Sequence, residues 1–172
     1  MEKKAELHYD GKVYDLPVVT GTEKENALDI SKLRGQSGLV TLDRGFKNTG
    51  SCESAITFLD GEKGILRHRG YRLEDLAENA SFLETSYLLI YGQLPNQTDL
   101  DNFEQRIKRH TMLNEEFKHY YDVWPHTAHP MGLLAAAVGG LSAFYKDELD
   151  PLDEAQVDSS IIKIIAKLPT IA

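Results

Sequence analysis

Apolar and polar residues alternate with period two over residues 4–17, two short strand-like runs flank a glycine-containing turn over 55–68, and apolar residues recur at helical spacing from residue 71 onward. The pattern predicts a β-rich start that hands over to a helical remainder. Between Lys4 and Pro17, Asp10-Gly11 is a two-residue turn suited to a type I′ hairpin. Its register puts Leu7 opposite Tyr14 and Ala5 opposite Leu16 on a packed face, with Glu6 opposite Asp15 and His8 opposite Val13 on a wet one. From Thr20 to Gly50 the chain is rich in Gly, Asp, Asn and Lys and reads as loop. A short helical turn is expected around Asp29–Leu33 and a short strand at Gly38–Leu42.

A second hairpin is expected with Ala55–Leu59 against Gly64–His68, the four-residue loop Asp60–Lys63 setting Phe58 opposite Ile65. Gly70 breaks the strand, and Tyr71, Leu73, Leu76 and Ala77 begin a helical face. Ser81 and Glu84 form a capping box for a nearly all-apolar helix ended by Gly92 and Pro95, which should be largely buried. Thr98 with Asp101 starts a more amphipathic helix carrying Leu100, Phe103 and Ile107 and ending near His110, and Asn114 caps a short helix through Tyr121. After Trp124-Pro125 to Pro130, a helix from Met131 to Tyr145 is rich in small residues. Its Gly132, Gly139 and Gly140 cost about 1 kcal/mol each against Ala, which predicts the close approach of another helix. The last helix spans about Asp153–Leu168, and the apolar end at Leu168–Ala172 raises the expectation of a continuation or a covering partner.

The fold class is therefore mainly α, with a small N-terminal β-hairpin segment followed by a helical bundle: 1–50 a β-rich segment, 51–71 a hairpin and turn, 72–172 a helical region. At 172 residues the chain can bury a sizeable core. Lys plus Arg number 19 and Asp plus Glu 27, a net charge of −8 that disfavours nucleic acid and anionic membranes as partners. A single cysteine, Cys52, leaves no internal disulfide and fits a reducing compartment. With no apolar leader and no membrane-length apolar run, a cytoplasmic location is expected.

His126 and His129 on the proline-bracketed stretch lack the carboxylate or cysteine companions of a zinc site, so capping or packing roles outweigh metal ligation. No nucleophile–base pairing and no glycine-rich phosphate motif stands out. The notable chemistry is basic. Arg106, Lys108, Arg109 and His110 crowd the end of one helix, and Lys163 and Lys167 lie at i, i+4 on the last one. On the residues alone, complementing the helix dipole is the stronger account of the first group, with anion binding beside it.

Taken together, SCESAITFLDGEKGILRHRGYRLEDLA (51–77), RHTMLNEE (109–116), TAHPMGLLAAAVGGLSAFY (127–145) and KIIAKLPTIA (163–172) resemble the N-terminal part of bacterial citrate synthases of the hexameric, NADH-sensitive type. The resemblance implies a mainly helical fold, one classed as all-α, and an enzyme that condenses oxaloacetate with acetyl-CoA to citrate and CoA. It places the catalytic His and Asp motifs, and most of the substrate contacts, beyond residue 172. No residue of this segment is thereby catalytic, the segment alone should be inactive, and no cofactor is required. The full-length type would be a homo-oligomer, dimeric or hexameric. One family site maps here, an allosteric NADH site: Arg109, His110, Thr111 and Met112 from the R-H-T-M stretch, Tyr145, and Lys163 with Lys167. The resemblance thus shifts the basic residues from dipole complement to anion site. Lys163 stands where the family pattern implies arginine, so the bidentate fork is missing there. The competing class is a stand-alone helical interaction module without catalysis, with a metal-binding module on His126 and His129 behind it.

Overall fold

The computed structural model describes residues 3–172. The chain divides into two compact units, Met1–Ser54 and Ala55–Ala172. In the first, β1 (Lys4–Tyr9), β2 (Lys12–Thr20) and β3 (Asn26–Leu28) form an antiparallel sheet in that order, and the short α1 (Leu33–Ser37) packs on β2. Pairings Ala5–Leu16, Glu6–Asp15, Leu7–Tyr14 and His8–Val13 match the alternation in the sequence. Asp10 and Gly11 both have positive φ, 51° and 71°, as a type I′ turn requires. Two expectations for the following stretch are corrected. Residues 38–42 form no strand, and the helical turn falls at Leu33–Ser37, closed by Gly38 at φ 77°. The strand in this region is instead β3, whose Leu28 pairs with Val18. Three residues are too few for a period-two signal to register.

The second unit opens on a sheet of β4 (Thr57–Asp60), β5 (Ile65–His68) and β6 (Tyr71–Arg72). Its hairpin register differs from expectation: Phe58 faces Arg67 and Asp60 faces Ile65, so the loop is Gly61–Gly64. Asp60 accepts the Lys63 N–H at 3.0 Å, and Gly64 closes the loop at φ 66°, a left-handed position that glycine fills without a Cβ clash. The two-residue shift preserves the faces while changing the partners. Arg69 and Gly70, at φ 50° and 89°, make a second tight turn into β6, so Tyr71 pairs with His68 as strand rather than starting the helix. Arg69 Nη2 donates to the Leu89 carbonyl at 2.9 Å, placing a cation at the carbonyl end of the helix Phe82–Tyr91.

The helices follow as α2 (Leu73–Asn79), α3 (Phe82–Tyr91), α4 (Gln97–Arg109), α5 (His119–Asp122) after a 3-10 turn Glu115–Lys118, α6 (Pro130–Gly140) running into a 3-10 turn Leu141–Phe144, and α7 (Glu154–Ile171). With sheets in both units the chain is mainly helical but not all-α. Ser81 and Glu84 do form the capping box of α3, and Asn114 caps the turn before α5. The cap of α4 is Asn96, whose side chain accepts from the Asp99 N–H at 3.0 Å, two residues before the Thr98 expected from sequence. Asparagine in extended backbone outcompetes a threonine that the helix has already absorbed.

Two clusters make the core of this unit. Phe103 and Ile107 of α4 meet Ile162 and Ala166 of α7, flanked by Leu83, Tyr87 and Ile90 of α3. Phe117 meets Ala137, Leu141 and Ile171. Helix α3 is less buried than its composition implied. Only Leu88 is fully covered, and Phe82 is 75% exposed, because α4 covers one side of a helix that is apolar on several. The expected close approach at the α6 glycines is also absent among the described residues: a Cβ built on Gly132, Gly139 or Gly140 meets nothing within 4 Å. The contact of α6 with the core runs through Ala137, joined by Leu141 of the 3-10 turn that follows. Helix α7 continues three residues past Leu168, through Pro169, its end held by a hydrogen bond from Tyr121 Oη to the Ile171 carbonyl at 2.8 Å.

Truncating Phe103 to Ala should destabilise the chain by about 3–5 kcal/mol, whereas Phe82→Ala should stay within about 0.5 kcal/mol. Urea denaturation of both variants checks this, and equal losses would contradict the assigned burial.

Candidate functional site

Helix α7 carries two lysines one turn apart that are almost entirely enclosed, Lys163 at 8% and Lys167 at 3% exposure. An ammonium that leaves water needs partners for its N–H donors. Lys167 Nζ donates to the backbone carbonyls of His110 at 2.8 Å and Met112 at 2.5 Å. The intervening Thr111 carbonyl accepts from Thr170 Oγ1 at 2.9 Å. Three consecutive carbonyls beyond α4 are therefore satisfied by side chains of α7. Lys163 pairs with the Glu148 carboxylate, which also accepts from Ser159 Oγ at 2.9 Å. The Tyr145 ring lies against both cations, 4.4 Å from Lys163 Nζ and 5.7 Å from Lys167 Nζ at its centroid.

The electrostatics follow from this packing. Burial lowers the pKa of His110, and the nearby charges of Lys163 and Lys167 lower it further, against an opposing pull from Glu148. Glu148 is held below the usual carboxylate range by its hydrogen bonds from Lys163 and Ser159. The site thus gathers an imidazole of lowered pKa, two lysines, one carboxylate and one aromatic face within a single turn-and-helix framework.

Of the residues singled out in the sequence, His110, Thr111, Met112, Tyr145, Lys163 and Lys167 come together here, Thr111 and Met112 through backbone carbonyls. Arg109 stays exposed in the last turn of α4, and the Met112 side chain is 76% exposed. The basic run at 106–110 is dispersed. Arg106 pairs with Asp158, which also accepts from Tyr91 Oη at 2.6 Å, fastening α3, α4 and α7 together. Burial pushes Asp158 up in pKa, but the hydrogen bonds from Tyr91 and Arg106 outweigh it and leave the net shift downward. Lys108 bonds Glu104 one turn back at 2.8 Å. Sequence reading missed Glu148 and Ser159. Glu148 lies fifteen residues before its partner in a polar turn, and nothing local marks it.

His129 caps α6, its Nδ1 accepting the Met131 N–H at 3.2 Å, and no group of three or more His, Cys, Asp or Glu able to hold a metal occurs among the described residues. An open groove of about 350 Å³ on the second sheet is lined by Lys63, Arg67, Arg72 and Glu74; Lys63 pairs with Asp60 and Arg72 with Glu74. No helix among the described residues is long and apolar enough to cross a membrane.

Comparison with known proteins places this architecture. The family described as "Citrate synthase, C-terminal domain" matches residues 45–172. The chain is 47% identical over 169 residues to the citrate synthase of Corynebacterium glutamicum and 48% identical over 168 to citrate synthase 1 of Mycobacterium tuberculosis. In each case 98% of the chain is covered, but only 39% of the relative. Among solved structures, citrate synthase from Thermotoga maritima matches with a TM-score of 0.62 at 29% identity, over 76% of this chain and 33% of that one. The Thermoplasma acidophilum enzyme, solved as a ternary complex with carboxymethyl coenzyme A and oxaloacetate, matches in fold with a TM-score of 0.68 at 23% identity, over 76% and 34%.

Because the folded imidazole of His110 titrates below the value near 6.5 of an unfolded histidine, the unfolded chain takes up the proton first. This stability contribution is complete above pH 6.5 and is lost as pH falls through the folded value. Urea midpoints compared at pH 7.5 and 5.5 should drop less for His110→Gln than for the parent chain, and identical drops would contradict the depressed pKa.

Proposed function

The chain belongs to the citrate synthase family, and from that premise we propose that it forms the N-terminal portion of an enzyme condensing oxaloacetate with acetyl-CoA to give citrate and CoA. The observation that carries this reading is the similarity to the C. glutamicum enzyme across 98% of the chain. The acid–base and carbonyl-polarising groups of that reaction are assigned to sequence beyond residue 172. The His8–Glu6 and His119–Asp122 pairs lie on open surface. The role of residues 55–172 is then to supply scaffold and regulation. The full-length enzyme is proposed as a cytoplasmic homo-oligomer, dimeric or hexameric.

The cluster around Tyr145 is proposed as the regulatory site, responsive to NADH. Tyr145 would offer a stacking face and Lys163 with Lys167 the phosphate contacts. The donor set fits in kind, but Lys167 is committed to two carbonyls and Lys163 to an acid, so affinity should be weak.

Two measurements test this reading. CoA release by the full-length enzyme should require oxaloacetate, while the 172-residue chain alone should release none above the uncatalysed rate; citrate formation by the short chain would overturn the division of labour. NADH should inhibit the full-length enzyme weakly, and Tyr145→Ala or Lys167→Ala should abolish the effect. No inhibition at saturating NADH would remove the nucleotide from the proposal.

A further inference from the structure

We infer that Glu148 is an internal competitor for anions at the Tyr145–Lys163–Lys167 cluster, occupying Lys163 and keeping the site closed to phosphate-bearing ligands until its carboxylate is displaced. The inference rests on reading the cluster as an anion site and adds what regulates access to it.

The geometry supports it at three points. Glu148 is anchored rather than incidental: its carboxylate accepts from Lys163 and from Ser159 Oγ, its N–H donates to the Tyr145 carbonyl at 2.9 Å, and its own carbonyl accepts from Ser160 Oγ at 3.3 Å. Lys163 Nζ is shared between the Tyr145 ring and the Glu148 carboxylate, so a ligand stacking on Tyr145 meets a carboxylate at the cation it would use. The charge balance also changes. Two ammoniums less one carboxylate leave a single net positive charge facing a polyanion. Displacement is nevertheless open, because the Glu148 side chain is 42% exposed while the Lys163 side chain is 10% exposed. The acid can swing into water; the lysine cannot.

The test uses the full-length enzyme and two probes, NADH and inorganic pyrophosphate, with binding measured by calorimetry. Glu148→Gln removes the charge while keeping the shape, and should tighten both probes about tenfold or more, the gain shrinking with added salt. Ser159→Ala, which keeps the charge but removes one anchor, should shift affinity the same way by less and guards against a folding defect in the first variant. Adding Lys167→Ala to Glu148→Gln should cancel the gain. If Glu148→Gln and Ser159→Ala leave affinity unchanged while Lys167→Ala still weakens parental binding, the competitor role falls and the anion site stands. If no variant binds either probe, or the gain survives Lys167→Ala, both fall.

Discussion

Helix α4 ends at Arg109, and the chain then runs in non-helical backbone whose carbonyls at His110, Thr111 and Met112 have no intrahelical donors. Everything around the candidate site depends on how those three carbonyls are satisfied. Helix α7 does so with Lys167 and Thr170, the former almost fully buried. An ammonium enclosed among carbonyls has its donors used, and it fixes the rotation of α7 against the end of α4. Ile162 and Ala166, on the adjoining face of α7, are thereby presented to Phe103 and Ile107. The polar contact and the apolar core set the same alignment.

Once Lys167 is placed, Lys163 one turn earlier must lie in the same enclosed space, and a second buried cation requires its own partner. Glu148 supplies it, brought within reach by the turn after the 3-10 segment Leu141–Phe144. Tyr145 covers the pair, and His110, its pKa lowered by burial and by the two lysines, lies beside them. The cluster thus holds one ion pair, Lys163 with Glu148, beside a second cation, Lys167, whose partners are neutral carbonyls.

Much of the fold was legible locally. Asp10-Gly11 specified the first hairpin down to its residue pairs, and Ser81 with Glu84 specified the start of α3, because both signals act within four residues. The second hairpin differs by two from the register expected because Gly61 and Gly64 each offer a loop end, and the folded loop uses the Asp60–Lys63 hydrogen bond with Gly64 at φ 66°. The glycines of α6 suggest a packing surface by composition alone, which carries no information about which face meets α7. The basic residues of the site were visible as residue types, yet Arg106 went to Asp158 and Arg109 to solvent, a division made by helix rotation.

What the sequence by itself determined is the succession of elements, the registers set by short turns, and the family membership carried by long ordered motifs. What only the tertiary structure decided is the state of the charged cluster. The pairing of Glu148 with Lys163, and of Lys167 with carbonyls fifty-five and fifty-seven residues away, depends on desolvation, and desolvation exists only once α4, α6 and α7 have closed around the side chains.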